Sequence, residues 1–182
     1  MYDSEQVMES KFPDVFLKGC LVDNTFADVN ISEILNKWKV VYFYPKDFTF
    51  VCPTEIVDFD NHVEEFAKLN ALVFGVSPDN EHCKLAWKDS HPDLRNLKHA
   101  LLADSGNELA FALGIVSSVE KVPYRATYIL DERSRIKHVS INGLNVGRNA
   151  AEVLRILDST QKGEDGMLCA ANRKVGGAGI DV

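Results

Sequence analysis

Residues 44–55, YPKDFTFVCPTE, set a cysteine directly before Pro-Thr-Glu, just beyond an apolar run. Cys52 has a threonine three residues before it, Thr49, and a glutamate three residues after it, Glu55. These are residue types suited to nucleophilic sulfur chemistry, provided the sulfur is held where it can ionise. KVVYFYP (39–45) is continuous, β-branched and aromatic, as in a strand buried on both faces. Residues 53–69 then take up helical spacing, with Ile56, Phe59, Val63, Phe66 and Ala67 on one face. Cys52 therefore falls in the first turn of a helix, after a loop. Pro53 suits that turn, where its missing N–H costs nothing. A thiolate there faces unpaired backbone N–H groups and the positive end of the helix dipole. Thr49 can turn its hydroxyl toward the same point. Two readings stand side by side: a nucleophile active at neutral pH, or a cysteine that simply packs, since free cysteines are among the most buried residues.

The other chemistry-bearing residues carry weaker signals. Cys20, Cys83 and Cys169 show no two-residue spacing of the zinc-knuckle or thioredoxin type. Cys20 reads as part of a glycine-preceded turn near an edge strand and Cys83 as lying on a helix with Leu85 and Trp87, each a packing residue and not a catalyst. The five histidines have no ligand spacing, so neither a metal nor another cofactor is expected. GLNVGR and the glycine-rich tail do not lie between a strand and a helix, as a phosphate loop must.

The elements that position these residues alternate. ALVFGVSP (71–78) and HALLAD (99–104) read as further strands, with helices predicted over 79–91 and 105–115. YRATYIL (124–130) and IKHVSIN (136–142) are strands joined by the polar turn DERS. A closing helix over 149–162 carries Ala150, Val153, Leu154 and Leu157 on one stripe. The expected fold is α/β, a central mixed sheet flanked by helices on both faces. Residues 163–182 hold five glycines and few large apolar side chains, and read as a mobile arm carrying Cys169. The chain thus divides into one domain, 1–162, and an arm, 163–182.

Composition bounds the function. A chain of 182 residues can bury one full core. Twenty basic against twenty-seven acidic residues leave a net charge of −7, which argues against nucleic acid or an anionic membrane as partner. MYDSEQVMES is acidic and lacks an apolar stretch, so neither a secretory signal nor a transit peptide is expected. No apolar run is long enough to span a bilayer. A cytoplasmic location follows, where thiols stay reduced and a structural disulfide framework is not expected.

PKDFTFVCPTE resembles the active-site motif of peroxiredoxins, Pro-x-x-x-Thr-x-x-Cys, with Pro45, Thr49 and Cys52 in register. The trailing Pro-Thr-Glu is similar to the typical two-cysteine subfamily, which includes the peroxidase component of bacterial alkyl hydroperoxide reductase. VSPDNEHCKLAW, YRATYILDE with Arg125 and VGRNAAEVLRIL with Arg148 resemble further segments of that subfamily, from about Phe12 to Cys169. The resemblance implies a thioredoxin-like fold and a thiol peroxidase. Cys52 would be the peroxidatic nucleophile, Arg125 the electrostatic stabiliser, Thr49 the positioning hydroxyl and Pro45 the shield against bulk water. Glu55 and Arg148 would support Arg125. Cys169 of a partner subunit would condense with the sulfenic acid, giving a disulfide that an external dithiol reduces, either a thioredoxin-like protein or a dedicated flavoprotein. A homodimer, assembling into a decamer, is implied as well. The family usually follows its resolving cysteine with Pro-Ala-x-Trp; here Ala170 and Arg173 occupy those places. Easily over-oxidised members carry a Gly-Gly-Leu-Gly-like loop and a terminal Tyr-Phe helix, and this chain has neither.

Two other classes share parts of the pattern. A thioredoxin-like oxidoreductase would need a second cysteine at position 49, which is threonine. A Cys-His hydrolase would need a histidine base beside Cys52, and His99 or His138 is available for that test.

Overall fold

The computed structural model describes residues 7–180. Residues 1–6, which enter the targeting-signal reading, and 181–182, at the end of the arm, lie outside them.

The long apolar run becomes β3 (Trp38–Phe43), which lies inside a seven-stranded sheet. With β1 (Phe16–Cys20), β2 (Phe26–Asn30), β4 (Ala71–Ser77), β5 (Ala100–Ala103), β6 (Arg125–Leu130) and β7 (Ile136–Asn142), the spatial order is β2-β1-β5-β4-β3-β6-β7. β3, β4 and β5 run parallel, and the outer pairings are antiparallel. Every residue of β3 is buried, because the sheet is covered on both sides. Val40 and Tyr42 enter one core with Ile56, Phe59, Trp87 and Leu157. Val41 and Phe43 enter the other with Phe12, Leu109 and Tyr128. The two-residue period of a strand thus divides the run between two cores.

The helices are α1 (Cys52–Asn61), α2 (Val63–Lys68), α3 (Glu81–Ser90), α4 (Glu108–Ala112) and α5 (Ala150–Glu164). The single helix expected over 53–69 is two. His62 ends α1 with its N–H on the Phe59 carbonyl, and its ring Nδ1 meets the Asp58 carbonyl at 2.8 Å. α3 and α5 start under asparagine caps, Asn80 on the Cys83 N–H and Asn149 on the Glu152 N–H. Among the described residues, no helix is long and apolar enough to cross a membrane.

Two expectations are corrected. The hairpin β1–β2 has no counterpart in the sequence reading, and Cys20 is no turn residue. It ends β1, pairs with Phe26 on one side and Leu101 on the other, and is fully buried. The arm, which its glycines predict to be mobile, is seated on α5: Arg173 is buried and bonds Asp158. α5 itself runs two residues past 162.

Candidate active site

Cys52 is the first residue of α1 and fully buried, with Pro53 behind it and no side chain capping that helix end. The helix starts here because the proline fits a first turn and because Ile56 and Phe59 bury their face in the core. Arg125, at the start of β6, reaches across from the sheet. Its Nη1 lies 3.3 Å from the Cys52 sulfur and donates to Glu55 Oε2 at 2.6 Å. Its Nε donates to the Leu144 carbonyl at 2.7 Å. The other oxygen of Glu55 accepts from the Arg148 backbone N–H at 3.0 Å and from Arg148 Nε at 2.8 Å. One buried carboxylate therefore serves two buried guanidinium groups, and Arg148 is further held by the Ala126 carbonyl and the face of the Tyr42 ring. Such charges need this pairing, since each alone would carry a large desolvation cost. The net cation left on the sulfur stabilises negative charge there and on any oxygen bound beside it.

An open cleft of about 250 Å³ runs along this group, lined among others by Pro45, Thr49, Val51, Val122, Arg125 and Leu144. Pro45 is buried and Thr49 half-buried. The Thr49 hydroxyl donates to the Lys46 carbonyl at 3.0 Å, which leaves its oxygen lone pairs available within the cleft. Of the residues singled out from the sequence, Cys52, Arg125, Glu55 and Arg148 form one bonded network, and Pro45 and Thr49 line the adjoining cleft. Cys169 stands apart on the arm, half-buried, its sulfur 3.5 Å from the Ser159 carbonyl of α5. His99 is occupied elsewhere, between the Tyr42 hydroxyl at 2.7 Å and Asp60 at 2.9 Å. His138 has a buried, unpartnered Nε2. Neither of these two histidines bonds Cys52, so neither is placed as the base a Cys-His hydrolase would need.

Sequence reasoning misses the group that anchors the loop between β3 and Cys52. Lys84 and Asp47 are wholly buried and 3.5 Å apart. Ser77 donates to Asp47 at 2.9 Å, and Lys84 Nζ lies 2.5 Å from the Ser77 hydroxyl. The Asp47 N–H donates to Asp79 at 2.7 Å. Burial pushes the Asp47 carboxyl up and the Lys84 ammonium down, each opposed by the other's charge. The next residue, Phe48, has φ of +54°, a conformation few bulky residues adopt, and its ring packs on Trp87. A lysine in a helix pattern looks solvated in one dimension; only the three-residue step from Lys84 to Trp87, both buried, hints otherwise.

The AhpC/TSA family model matches residues 8–139. The chain belongs to that family. It is 42% identical over 154 residues to alkyl hydroperoxide reductase C of Mycolicibacterium smegmatis, covering 85% of this chain and 77% of that protein. It is 39% identical over 168 residues to peroxiredoxin-2 of Cricetulus griseus, covering 90% and 84%. The reduced 2-Cys peroxiredoxin of Plasmodium vivax superimposes with a TM-score of 0.90 at 32% identity, over 96% of this chain and 93% of that one. The fold of this AhpC/TSA family member is thus the thioredoxin-like peroxiredoxin fold, and its family chemistry is that of a thiol peroxidase.

Proposed function

We propose that this thiol peroxidase reduces hydrogen peroxide and organic hydroperoxides at Cys52, with Cys169 as its resolving thiol. The Cys52 thiolate attacks the terminal peroxide oxygen. The S–O bond forms as the O–O bond breaks, and the leaving oxygen takes a proton to become water or an alcohol. Arg125 offsets the charge that builds on the two oxygens, Thr49 orients the bound peroxide, and Pro45 keeps bulk water from the sulfur. Glu55 and Arg148 hold Arg125 in place. Cys169 of a second subunit then attacks the sulfenic sulfur, an S–S bond forms, and the oxygen leaves as water. An external dithiol, from a thioredoxin-like protein or a dedicated flavoprotein, returns both cysteines to thiols and leaves oxidised. The working unit is a cytoplasmic homodimer, with dimers assembling to a decamer. β7 supports this in part, since it ends the sheet with an exposed Ile141 and, beyond Ile136, which bonds Glu9 and Ser10, no strand among the described residues lies along its outer edge.

The observation that carries this reading is the Arg125 guanidinium 3.3 Å from a buried cysteine sulfur. The test is direct. Cys52→Ser abolishes peroxide reduction, while Cys20→Ser and Cys83→Ser leave it near wild type. Peroxide-treated protein runs as a covalent dimer on a non-reducing denaturing gel, and Cys169→Ser runs as a monomer. Substantial turnover by the Cys52 variant refutes the first part; covalent dimers in the Cys169 variant refute the second.

A further inference from the structure

The arm that bears Cys169 is closed by charge and by glycines placed where other residues would not fit. Asp158 lies in the last two turns of α5 and is 3% exposed; Arg173, on the arm, is 5% exposed. Arg173 Nη1 bonds Asp158 Oδ2 at 2.5 Å and reaches the Ser159 hydroxyl at 3.3 Å. Its Nε donates to the Gly177 carbonyl at 2.9 Å. The same Asp158 oxygen accepts from the Gly176 N–H at 3.0 Å, which needs the backbone at Gly176 to turn with φ of +71°. Gly179 lies so close to Met167 that a side chain there would clash, and Ile180 closes back on the Leu168 carbonyl at 2.8 Å. These contacts come from both sides of Cys169 and hold its sulfur against Ser159 of the same subunit's helix.

We propose that the Arg173–Asp158 pair is a latch and Arg173 a positioning residue: it parks Cys169 on its own subunit's α5, and its release sets how fast that thiol becomes available. This rests on the reading of Cys169 as the resolving thiol. The physics suits a reversible catch. Two charges brought together in a dry contact gain little over the same charges hydrated, because desolvation offsets most of their attraction. Docking and undocking are therefore closely balanced. Removing one partner is different, since the remaining charge is then buried alone whenever the arm is docked and hydrated whenever it is not. Either single substitution drives the arm off.

The experiment uses the reduced full-length protein and the rate at which N-ethylmaleimide labels each cysteine, resolved by mass spectrometry. Arg173→Gln and Asp158→Asn each raise Cys169 labelling about tenfold or more, as expected when a buried partner is lost from a local opening. The double variant rises no further than the stronger single one, because both act through one contact. Arg173→Lys, which keeps the charge, falls between. Labelling of fully buried Cys20 stays at its wild-type rate. Disulfide formation after one equivalent of hydrogen peroxide, followed by quenched flow, accelerates in the single variants. Unchanged Cys169 labelling in both variants overturns the proposal. So does a rise at Cys20 in step with Cys169, which would make the pair a support of the whole fold, and so does faster labelling with an unchanged disulfide rate. The gel of Cys169→Ser tests the underlying reading separately: covalent dimers there remove the resolving role whatever the labelling shows.

Discussion

The surroundings of Cys52 and of Cys169 solve opposite problems with the same chemistry. Around Cys52, Glu55 divides its two oxygens between Arg125 and Arg148, and each arginine has a backbone carbonyl as a further partner. Breaking any one contact leaves the others in place. Around Cys169, one ion pair joins the arm to α5, supplemented by the Gly176 and Met167 N–H groups, a weak hydroxyl contact and the long Cys169 contact with the Ser159 carbonyl. A nucleophile has to meet its electrostatic partner within a few tenths of an ångström, so redundancy serves it. A thiol that must travel needs a contact that can be lost as a unit. What separates the two is therefore where the partners sit: Arg125 is held from α1 and from the Leu144 carbonyl, whereas the carbonyl that Arg173 bonds, Gly177, lies on the arm itself and leaves with it.

The comparison breaks most visibly at Arg125. Arg125→Gln removes the cation from the sulfur and from the developing oxygen charge, and lowers the second-order rate of Cys52 oxidation by about 10²–10³-fold. Glu55→Gln leaves Arg125 near the sulfur but strands two buried cations. Its main effect is on stability, about 3–5 kcal/mol in denaturant unfolding. If Glu55→Gln slowed oxidation as much as Arg125→Gln with stability intact, the carboxylate would be acting on the reaction itself and its supporting role would be wrong.

A second way to sharpen the contrast is Lys84. Asp47 belongs to the loop that carries Pro45; its carboxylate and this ammonium are both fully buried, and they pin the loop to the end of β4 through Ser77. Lys84→Met leaves Asp47 buried without its cation and costs about 3–5 kcal/mol of unfolding free energy. Adding Asp47→Asn removes the stranded charge and restores most of that loss. A double variant as unstable as the single one would show that Lys84 matters through its packing and not through the pair.

The parts legible in the sequence are those whose signal is local. β3, β4, β5, β6 and β7 can be read from apolar runs and alternation, and the Pro-Thr-Glu that follows Cys52 places it in the first turn of its helix. Arg125 and Arg148 carry no local sign of their work; in one dimension Arg125 is an ordinary strand arginine, and only the family resemblance singles it out. Glu55 likewise looks like a solvated helix residue until two arginines arrive from β6 and the loop before α5. The hairpin β1–β2 escapes a sequence reading because the exposed Phe16 and the side-chain-free Gly19 blur the alternation of β1. Asp23-Asn24, with φ of +66° at Asn24, is the turn signal that reveals it. The arm misleads because glycine suggests freedom, whereas Gly176 and Gly179 are where the backbone must turn tightly or pack closely. Lys84 and Arg173 stay hidden for one reason: a charge is buried only by a partner distant in sequence, and no periodicity records that partner.

The smallest expected effect concerns the competition between disulfide formation and over-oxidation. The loop after α3 lacks glycine and residues 163–182 hold no aromatic side chain, features that the resemblance links to easy local opening. That loop is nevertheless well packed: Leu94 and Leu97 are buried in the same core as Cys52, Ile56 and Phe59. The turn at Pro92–Leu94 thus braces the body of α1. The approach to its first residue is less covered, because Phe48 and Phe50 are exposed, Phe50 at 95%, and Thr49 and Val51 are only half-buried. Opening the first turn alone frees Cys52 without dismantling the core below it, so its cost lies at the low end of local unfolding. Cys169 then captures the sulfenic acid before a second peroxide takes it to the sulfinic form, which is not recovered by thiols. During turnover at millimolar peroxide, mass spectrometry of Cys52 should find disulfide as the main oxidised species and sulfinic acid as a minor one. In Cys169→Ser the sulfinic form should instead accumulate, since nothing removes the intermediate. Rapid sulfinic build-up in the wild-type protein would mean that the bracing by Leu94 and Leu97 governs opening, and that the first turn of α1 does not move on its own.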